Sequence, residues 1–146
     1  MAKVDEKDFN VLSEFKWYFR SGYAVRTKIF DGVKKTIWMH RLIMGNPRGK
    51  EIDHINRDRL DNRRVNLRIC SRTENSRNSA FNNTISGFKG VHKSKKRWQA
   101  HIRIGGKLIH LGLFLKIEDA AKKYDETAKK YFGEFACTNL ELGRYQ

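Results

Sequence analysis

Cysteine and long apolar runs are scarce in this sequence, and their scarcity excludes several classes of protein. Two cysteines, Cys70 and Cys137, cannot form a disulfide framework or a zinc site of four cysteines. No apolar run approaches the length that spans a membrane, and no signal peptide opens the chain. We therefore expect a soluble intracellular protein with no membrane partner. The lack of heptads and of an internal repeat favours a monomer.

Acidic residues are also few compared with basic ones. The chain has 31 Lys and Arg against 16 Asp and Glu, which gives a net charge of +15 and a pI of 10.1. The positive charge is spread over both halves of the chain. An anionic polymer is therefore the first partner to consider. Charge alone fits a basic RNA-binding or ribosome-associated protein as well as a DNA-binding one.

The candidate catalytic chemistry lies in a polar, arginine-rich segment, residues 53–78. The carboxylate of Asp53 is an oxygen ligand suited to a divalent cation. His54 is the candidate base, because its imidazole is largely neutral at pH 7. Asn66 is the candidate to fix the imidazole tautomer by hydrogen-bonding the ring nitrogen that faces away from the attacked water. Neighbours on a strand face opposite ways, so the strand is expected to end or bend at Asp53 and His54.

A helix is predicted to begin near Ser71, because Ser71 and Glu74 have the spacing of a capping box. This helix carries Asn75 and Asn78 on one face. The side-chain carbonyl of Asn75 is a second oxygen ligand for a metal, and Asn78 is the alternative. The alternative interpretation is that this segment is a basic loop before a capped helix and has no catalytic role. That interpretation explains the residues typical of turns, but not an Asp-His pair followed by two well-spaced asparagines.

These residues resemble the HNH nuclease motif, in its homing-endonuclease branch. Asp53 and His54 fit the first position of the motif, Asn66 fits the central asparagine, and Asn75 fits the last position. The preceding MHRLI segment (Met39–Ile43) is similar to the same branch. The resemblance implies one Mg²⁺ or Mn²⁺ held by Asp53 and Asn75, with His54 as base and Asn66 orienting it. It also implies 5′-phosphate and 3′-hydroxyl ends and a protein of a prokaryotic or phage-infected cell.

Ahead of the motif, alternating apolar positions predict three antiparallel strands joined by tight turns. The turns are placed at Ser21–Gly22 and Asp31–Gly32, and the third strand is placed at Lys34–Trp38. The next segment, Met39–Met44, carries His40. This histidine either contacts the active site or is a buried structural residue.

After the motif, residues 81–86 are rich in Asn, Ser and Thr and are expected to form a linker. Beyond it the alternation of apolar and polar positions predicts a three-stranded antiparallel sheet, and a helical period follows. The predicted elements are Phe88–Val91, Arg97–Ile104, Lys107–Phe114 and a helix that Gly133 ends.

The segments FKGV, RWQAHIR and HLGLF, with residues 118–139, resemble the Apetala/ethylene-response-factor DNA-binding domain. In that family the sheet enters the major groove. Trp98 is also apolar enough to be a core residue, and His110 stands where the family commonly has tryptophan. The DNA contacts implied by the resemblance are Lys89, Arg97, Trp98, Gln99, His101 and Arg103.

The sequence therefore predicts an α+β protein with two modules. An HNH nuclease occupies residues 1–80, with its ββα-metal core at about 38–80, and a DNA-binding module occupies residues 87–140. The predicted function is metal-dependent, site-selective nicking of double-stranded DNA, with no small-molecule substrate. A non-catalytic DNA-binding regulator that keeps an HNH scaffold is one alternative, and a basic RNA-binding protein is another.

Overall fold

The computed structural model describes residues 1–80 and 85–146. The fold is α+β, and it divides into two compact units, Met1–Asn75 and Ser76–Gln146. Most of the predicted linker, residues 81–84, lies outside the described residues. In the part of the chain that is described, no helix is long and apolar enough to cross a membrane.

The first unit opens with a helix and a three-stranded antiparallel sheet. Both hairpin turns fall where the sequence predicts them, since Ser21, Gly22, Asp31 and Gly32 all have positive φ. The first helix is not predicted by the alternating pattern. The elements are α1 (Glu6–Ser13), β1 (Tyr18–Arg20), β2 (Tyr23–Phe30) and β3 (Val33–Trp38), with the sheet order β1-β2-β3.

A helix, a hairpin and a further helix complete the first unit. The capping box is confirmed: the Glu74 N–H donates to Ser71 Oγ at 3.2 Å, and the Ser71 N–H donates to Glu74 Oε2 at 2.7 Å. The hairpin strands pair antiparallel, with Asp53 opposite Arg68 and His54 opposite Leu67. The elements are α2 (Met39–Ile43), β4 (Glu51–His54), β5 (Leu67–Cys70) and α3 (Arg72–Arg77).

The core of the first unit lies on one face of the β4–β5 hairpin. Ile52 and Leu67 are buried there, against residues of α1, β2 and α2. Because side chains alternate along a strand, His54 lies on this core face, whereas Asp53 lies on the opposite face. The strand ends at His54, as expected, but both residues are still paired with β5, so the end of the strand does not bring their side chains to one face. The buried core residues are Leu12, Ala24, Met39, Ile43, Ile52 and Leu67.

The second unit is a three-stranded antiparallel sheet packed on one long helix, as predicted. Its first strand begins later than expected, because Gly90 has a φ of +72° and so breaks the extended backbone. A Cβ at Gly90 would lie 2.0 Å from the ring of Tyr124, so a larger residue does not fit there. The elements are β6 (Val91–Ser94), β7 (Arg97–Ile104), β8 (Lys107–Phe114) and α4 (Ile117–Phe132), with the sheet order β6-β7-β8.

Small residues let α4 approach the sheet closely. Ala120 and Ala121 are fully buried against Val91 and Ala100, and further along the helix Tyr124, Ala128 and Phe132 cover Ile102. One face of the sheet is thereby buried, and the other face is not covered by α4.

Candidate active site and exposed sheet face

An ion pair holds the predicted metal ligand Asp53. On the neighbouring strand, Arg68 donates Nε and Nη2 to Asp53 Oδ2 at 2.9 and 2.7 Å. The two side chains are only 6% and 11% exposed, for Asp53 and Arg68 respectively, so the pair is largely shielded from water. The carboxylate is therefore fixed on the hairpin face that lies away from the core. Arg68 has no role in the motif as predicted from the sequence, although its place directly opposite Asp53 follows from the hairpin register.

A second carboxylate holds the other predicted metal ligand. Asn75, on α3, donates Nδ2 to Glu51 Oε2 at 2.6 Å. Glu51 precedes Asp53 by two residues on β4, so the two side chains lie on the same face of the strand. The structure thus gathers Asp53, Glu51 and Asn75 on one side of the hairpin. Glu51 was missed, although the period-two spacing of the two acidic residues in EIDH is a signal for it.

The structure also bears on the choice between the two helix asparagines. Asn78 follows the last residue of α3 and is buried, at 4% exposed. Asn75 lies within the helix and reaches β4 through Glu51. This geometry favours Asn75 as the residue that shares a face with Asp53.

His54 is buried, and one of its ring nitrogens has an identified partner. Nε2 lies 3.1 Å from Asn62 Oδ1, while Asn62 Nδ2 donates to Leu60 O at 3.3 Å. Because the Asn62 oxygen is an acceptor, Nε2 carries the proton in the neutral ring, and Nδ1 is the basic nitrogen. Burial lowers the pKa of His54 below its ordinary value of 6.5, against the opposing effects of Asn62 and nearby carboxylates. The imidazole is therefore neutral and able to act as a base at pH 7.

Asn66 closes the loop between β4 and β5. Its Oδ1 accepts the N–H of Asn56 at 2.9 Å, its Nδ2 donates to Asp61 O at 2.8 Å, and its own carbonyl accepts the N–H of Ile55 at 2.9 Å. The contact that fixes Nε2 of the imidazole is made by Asn62, which is part of the loop that Asn66 closes. Asn62 was missed because an asparagine beside aspartate in a loop is typical of a simple turn.

The same loop contains an ion pair between Asp61 and Arg63. Asp61 is 1% exposed and accepts Nε and Nη2 of Arg63 at 2.8 and 2.6 Å, and Asn56 Nδ2 at 3.0 Å. The Arg63 guanidinium holds the pKa of the Asp61 carboxyl well below its usual range. Asp61 is consequently a charged structural residue next to Asn62.

His40 is buried and stands beside the candidate base. Its ring centroid lies 5.1 Å from that of His54 and 5.2 Å from that of Tyr23. Burial, with smaller effects of His54 and Arg41, lowers the pKa of His40 to about 4. His40 also borders a cavity of about 280 Å³ that Glu51 and Asn75 line. His40 is therefore buried, as one of the two alternatives from the sequence expected, and it lies beside the candidate base His54.

The donor set fits a hard divalent cation better than a zinc-type ion. Among residues 1–80 and 85–146, no three His, Cys, Asp or Glu side chains form a metal cluster. Asp53 and Asn75 offer carboxylate and amide oxygens, and Mg²⁺ is commonly bound through one or two carboxylates and several waters. The nearby Cys70 does not compete, because burial raises the pKa of its thiol to about 11 and keeps it protonated.

In the second unit, four of the six predicted DNA contacts share the exposed face of the sheet. Ala100 and Ile102 of β7 are buried against α4, so the alternating residues Arg97, Gln99, His101 and Arg103 face away from the helix.

Two further histidines flank His101 on this exposed face. The ring centroids of His92, on β6, and His110, on β8, lie 5.6 and 5.2 Å from that of His101. Burial and the two neighbouring imidazoles lower the pKa of His101. The exposed face thus carries a row of three histidines between two arginines, Arg97 and Arg103. The sequence analysis gave His92 and His110 no role as ligand contacts, although their place beside His101 follows from strand register.

Lys89 and Trp98 lie elsewhere. The ammonium group of Lys89 donates to the carbonyls of Arg77 and Ser79 at 2.7 and 2.8 Å. Trp98 packs against the buried cluster around Ala100, on the helix side of the sheet. The structure therefore gives both residues intramolecular contacts instead of a place on the exposed face.

Comparison with known proteins gives two separate similarities. Residues 37–77 match a family model described as HNH endonuclease. Over 144 residues the chain is 33% identical to an uncharacterized HNH endonuclease of Acanthamoeba polyphaga mimivirus, an alignment that covers 94% of this chain and 74% of that protein.

The second similarity is to plant transcription factors. The chain is 42% identical over 73 residues to an AP2-like ethylene-responsive transcription factor of Arabidopsis thaliana, and 41% identical over 73 residues to one of Oryza sativa subsp. japonica. Each alignment covers 47% of this chain, but only 15% of the Arabidopsis protein and 11% of the rice protein. The similarity thus concerns one segment of much longer proteins.

Proposed function

Because the chain belongs to the HNH endonuclease family, we propose that it is a metal-dependent, site-selective endonuclease that nicks one strand of double-stranded DNA. We assign it to the homing type of phages and bacteria, on its resemblance to that branch. One observation carries the proposal: the buried imidazole of His54 lies beside His40, which borders a cavity that Glu51 and Asn75 line.

In this proposal His54 takes the proton from the attacking water at Nδ1. Nε2 keeps its proton because it donates to Asn62 Oδ1, and this contact also keeps the imidazolium oriented once it has formed. Asn66 holds the loop that carries Asn62, so its contribution to the base is indirect.

Asp53 and Asn75 are the residues that would hold one Mg²⁺ or Mn²⁺. When bound, the ion supplies positive charge that stabilises the negative charge developing on the scissile phosphate and the leaving oxygen. Arg68 keeps Asp53 in place through its two hydrogen bonds.

The second unit is proposed to dock its exposed sheet face in the major groove of DNA. Arg97, Gln99, His101 and Arg103 supply donors on that face, and a two-stranded or wider ribbon fits the groove of B-form DNA. The deep, narrow major groove of A-form RNA does not admit such side chains, which argues against the RNA-binding alternative. One candidate metal site in the described residues favours action as a monomer on an asymmetric target.

A non-catalytic DNA-binding regulator is the second candidate function, and one observation favours it. Arg68 occupies Oδ2 of Asp53, as would be expected where a former metal ligand has become part of a scaffold. Such a protein would bind a site without cutting it.

Cleavage of a random duplex library tests the proposal. The full chain is incubated with Mg²⁺ and the library, and the new ends are mapped on both strands. We expect nicks at a preferred sequence, with 5′-phosphate ends, and none from His54→Ala at equal DNA binding. Sequence-selective binding without any new ends would instead support the regulator.

A further inference from the structure

A hydrogen bond holds the nitrogen of the Asn75 side-chain amide. Nδ2 donates to Glu51 Oε2 at 2.6 Å, a short bond to a carboxylate. Since the amide group is planar, a fixed nitrogen also fixes the direction of Oδ1. In the described part of the chain Oδ1 of Asn75 accepts no hydrogen bond, so the oxygen remains available to a ligand.

Glu51, which accepts the hydrogen bond from Asn75 Nδ2, lies on the same face of β4 as Asp53. Glu51 and Asp53 are separated by one residue on β4, and Cys70 lies directly opposite Glu51 in the register. Arg68 balances the charge of Asp53, whereas the contact made by Glu51 is to the neutral amide of Asn75.

We infer that Glu51 is a positioning residue that turns Oδ1 of Asn75 towards the metal, without being a metal ligand itself. This inference rests on the proposed function, because it concerns the same site. A free asparagine amide can rotate by 180° and present its NH₂ group to a cation, which is repulsive. A carboxylate accepts only from Nδ2, so Glu51 selects the orientation in which the oxygen is available.

The conservative variant separates this role from direct ligation. Glu51→Gln has no charge and keeps an oxygen that can accept from Asn75 Nδ2, but its NH₂ group can also donate to Oδ1, so it selects the orientation less strongly than the carboxylate. Glu51→Ala has no acceptor. A positioning role predicts that Glu51→Gln keeps more of the affinity for the metal than Glu51→Ala. Direct ligation predicts that both variants lose it, because the negative charge is missing from both.

The test measures Mn²⁺ binding to the full chain without DNA, by the electron paramagnetic resonance signal of the free ion. We expect Glu51→Ala to weaken binding about 10- to 100-fold, as outer-shell substitutions commonly do. Glu51→Gln should bind more tightly than Glu51→Ala, with an affinity between that of Glu51→Ala and that of the unmodified protein. Glu14→Ala, at an exposed site at the end of α1, is the matched control for the lost charge. The ¹⁵N resonance of the Asn75 side chain, identified with Asn75→Asp, reports the hydrogen bond independently of metal and shows whether each variant is folded.

The outcomes separate this inference from the proposed function. Asp53→Ala should abolish binding in every case. If it does while both Glu51 variants bind like the unmodified protein, the positioning role is wrong and the metal site stands. If Glu51→Gln loses as much affinity as Glu51→Ala, Glu51 is a ligand. If Asp53→Ala binds Mn²⁺ as well as the unmodified protein, the metal site itself is refuted. A Glu51→Ala protein that keeps the Asn75 resonance of the unmodified chain would also overturn the inference.

Discussion

At the scale of the residue, the acid side of the pH–rate profile should report His54. Burial lowers its pKa below 6.5, so the neutral base predominates at pH 7 and is lost on acidification. We expect the cleavage rate at saturating Mg²⁺ to be level near pH 7–8 and to fall on acidification below the ordinary pKa of 6.5. Asn62→Asp places a carboxylate beside Nε2 of His54 and raises the pKa of the imidazole. The decrease in cleavage rate should therefore begin at a higher pH than in the unmodified protein.

Asn66→Ala is the matched comparison for this prediction. This substitution removes an asparagine that closes the same loop, so it should lower the stability of the protein and its cleavage rate. It should not raise the pH at which the rate falls, as Asn62→Asp does. Single-turnover rates between pH 5 and 9 measure both effects. An unshifted profile for Asn62→Asp would mean that another group is the base.

His40 should make the first unit sensitive to acid. Its pKa is about 4 in the folded protein and 6.5 when exposed, so between these values the unfolded chain binds the extra proton. The stability contributed by the neutral ring is complete above pH 6.5 and is lost as the pH falls towards 4. The full loss is on the order of 3 kcal/mol.

His40→Phe keeps a ring in this place and removes the titration. Hydrogen exchange of the β4 and β5 amides at pH 7.5 and 4.5 measures the local stability in both proteins. The variant should lose clearly less stability on acidification. An equal loss in the two proteins would assign the acid sensitivity to other groups.

The sequence indicates candidate site residues whose chemistry is visible in their type, and it does not indicate residues whose candidate role depends on a partner. A carboxylate beside an imidazole, and an asparagine in a capped helix, indicate a metal site without knowledge of the fold. Glu51 and Arg68 acquire a role only once strand register places them beside Asn75 and Asp53. Which asparagine of the loop faces His54 depends on the path of an irregular loop, which no periodicity describes.

At the scale of the element, the two faces of β7 should respond differently to substitution. Arg97→Ala removes an exposed donor and is expected to cost about 1–3 kcal/mol of DNA binding if Arg97 contacts a base. Trp98→Ala removes a ring that packs on the core and should cost about 3–5 kcal/mol of stability if the site cannot collapse.

Fluorescence anisotropy on a selected duplex and urea denaturation measure these two quantities. Trp98→Phe, which keeps an aromatic ring, is the matched control and should bind DNA like the unmodified chain. A Trp98→Phe protein that is stable but binds DNA as weakly as Arg97→Ala would place Trp98 in the groove after all.

Elements with a clear period or a strong turn signal were predictable, and short elements set by packing were not. The hairpins at Ser21–Gly22 and Asp31–Gly32 and the capping box at Ser71 occur as expected. Helix α1 is short, and only Leu12 of its residues is buried, so its apolar pattern was too weak to detect. Strand β6 was displaced because Gly90 serves the approach of Tyr124 and does not continue the strand.

At the scale of the whole molecule, the chain consists of two units with different folds, as the change of sequence pattern indicated. The second unit begins at Ser76, before the polar segment that suggested a linker. Lys89 donates to the carbonyls of Arg77 and Ser79, and Arg144 donates to the carbonyl of Ala80, so the last residue of α3 and those that follow it are tied to the second unit. These contacts join residues 10 to 64 positions apart, and composition gives no sign of them.

The reaction of a supercoiled plasmid tests the central claim most directly. The plasmid carries one selected site and is incubated with Mg²⁺ and limiting amounts of the full chain, of Asp53→Ala or of His54→Ala. We predict that the unmodified protein converts it first to open circles, with linear DNA late or absent, and that neither variant does so while DNA binding is kept. Activity of His54→Ala equal to that of the unmodified protein would contradict the assignment of the base, and linear DNA formed in step with the first cuts would contradict the monomeric nickase.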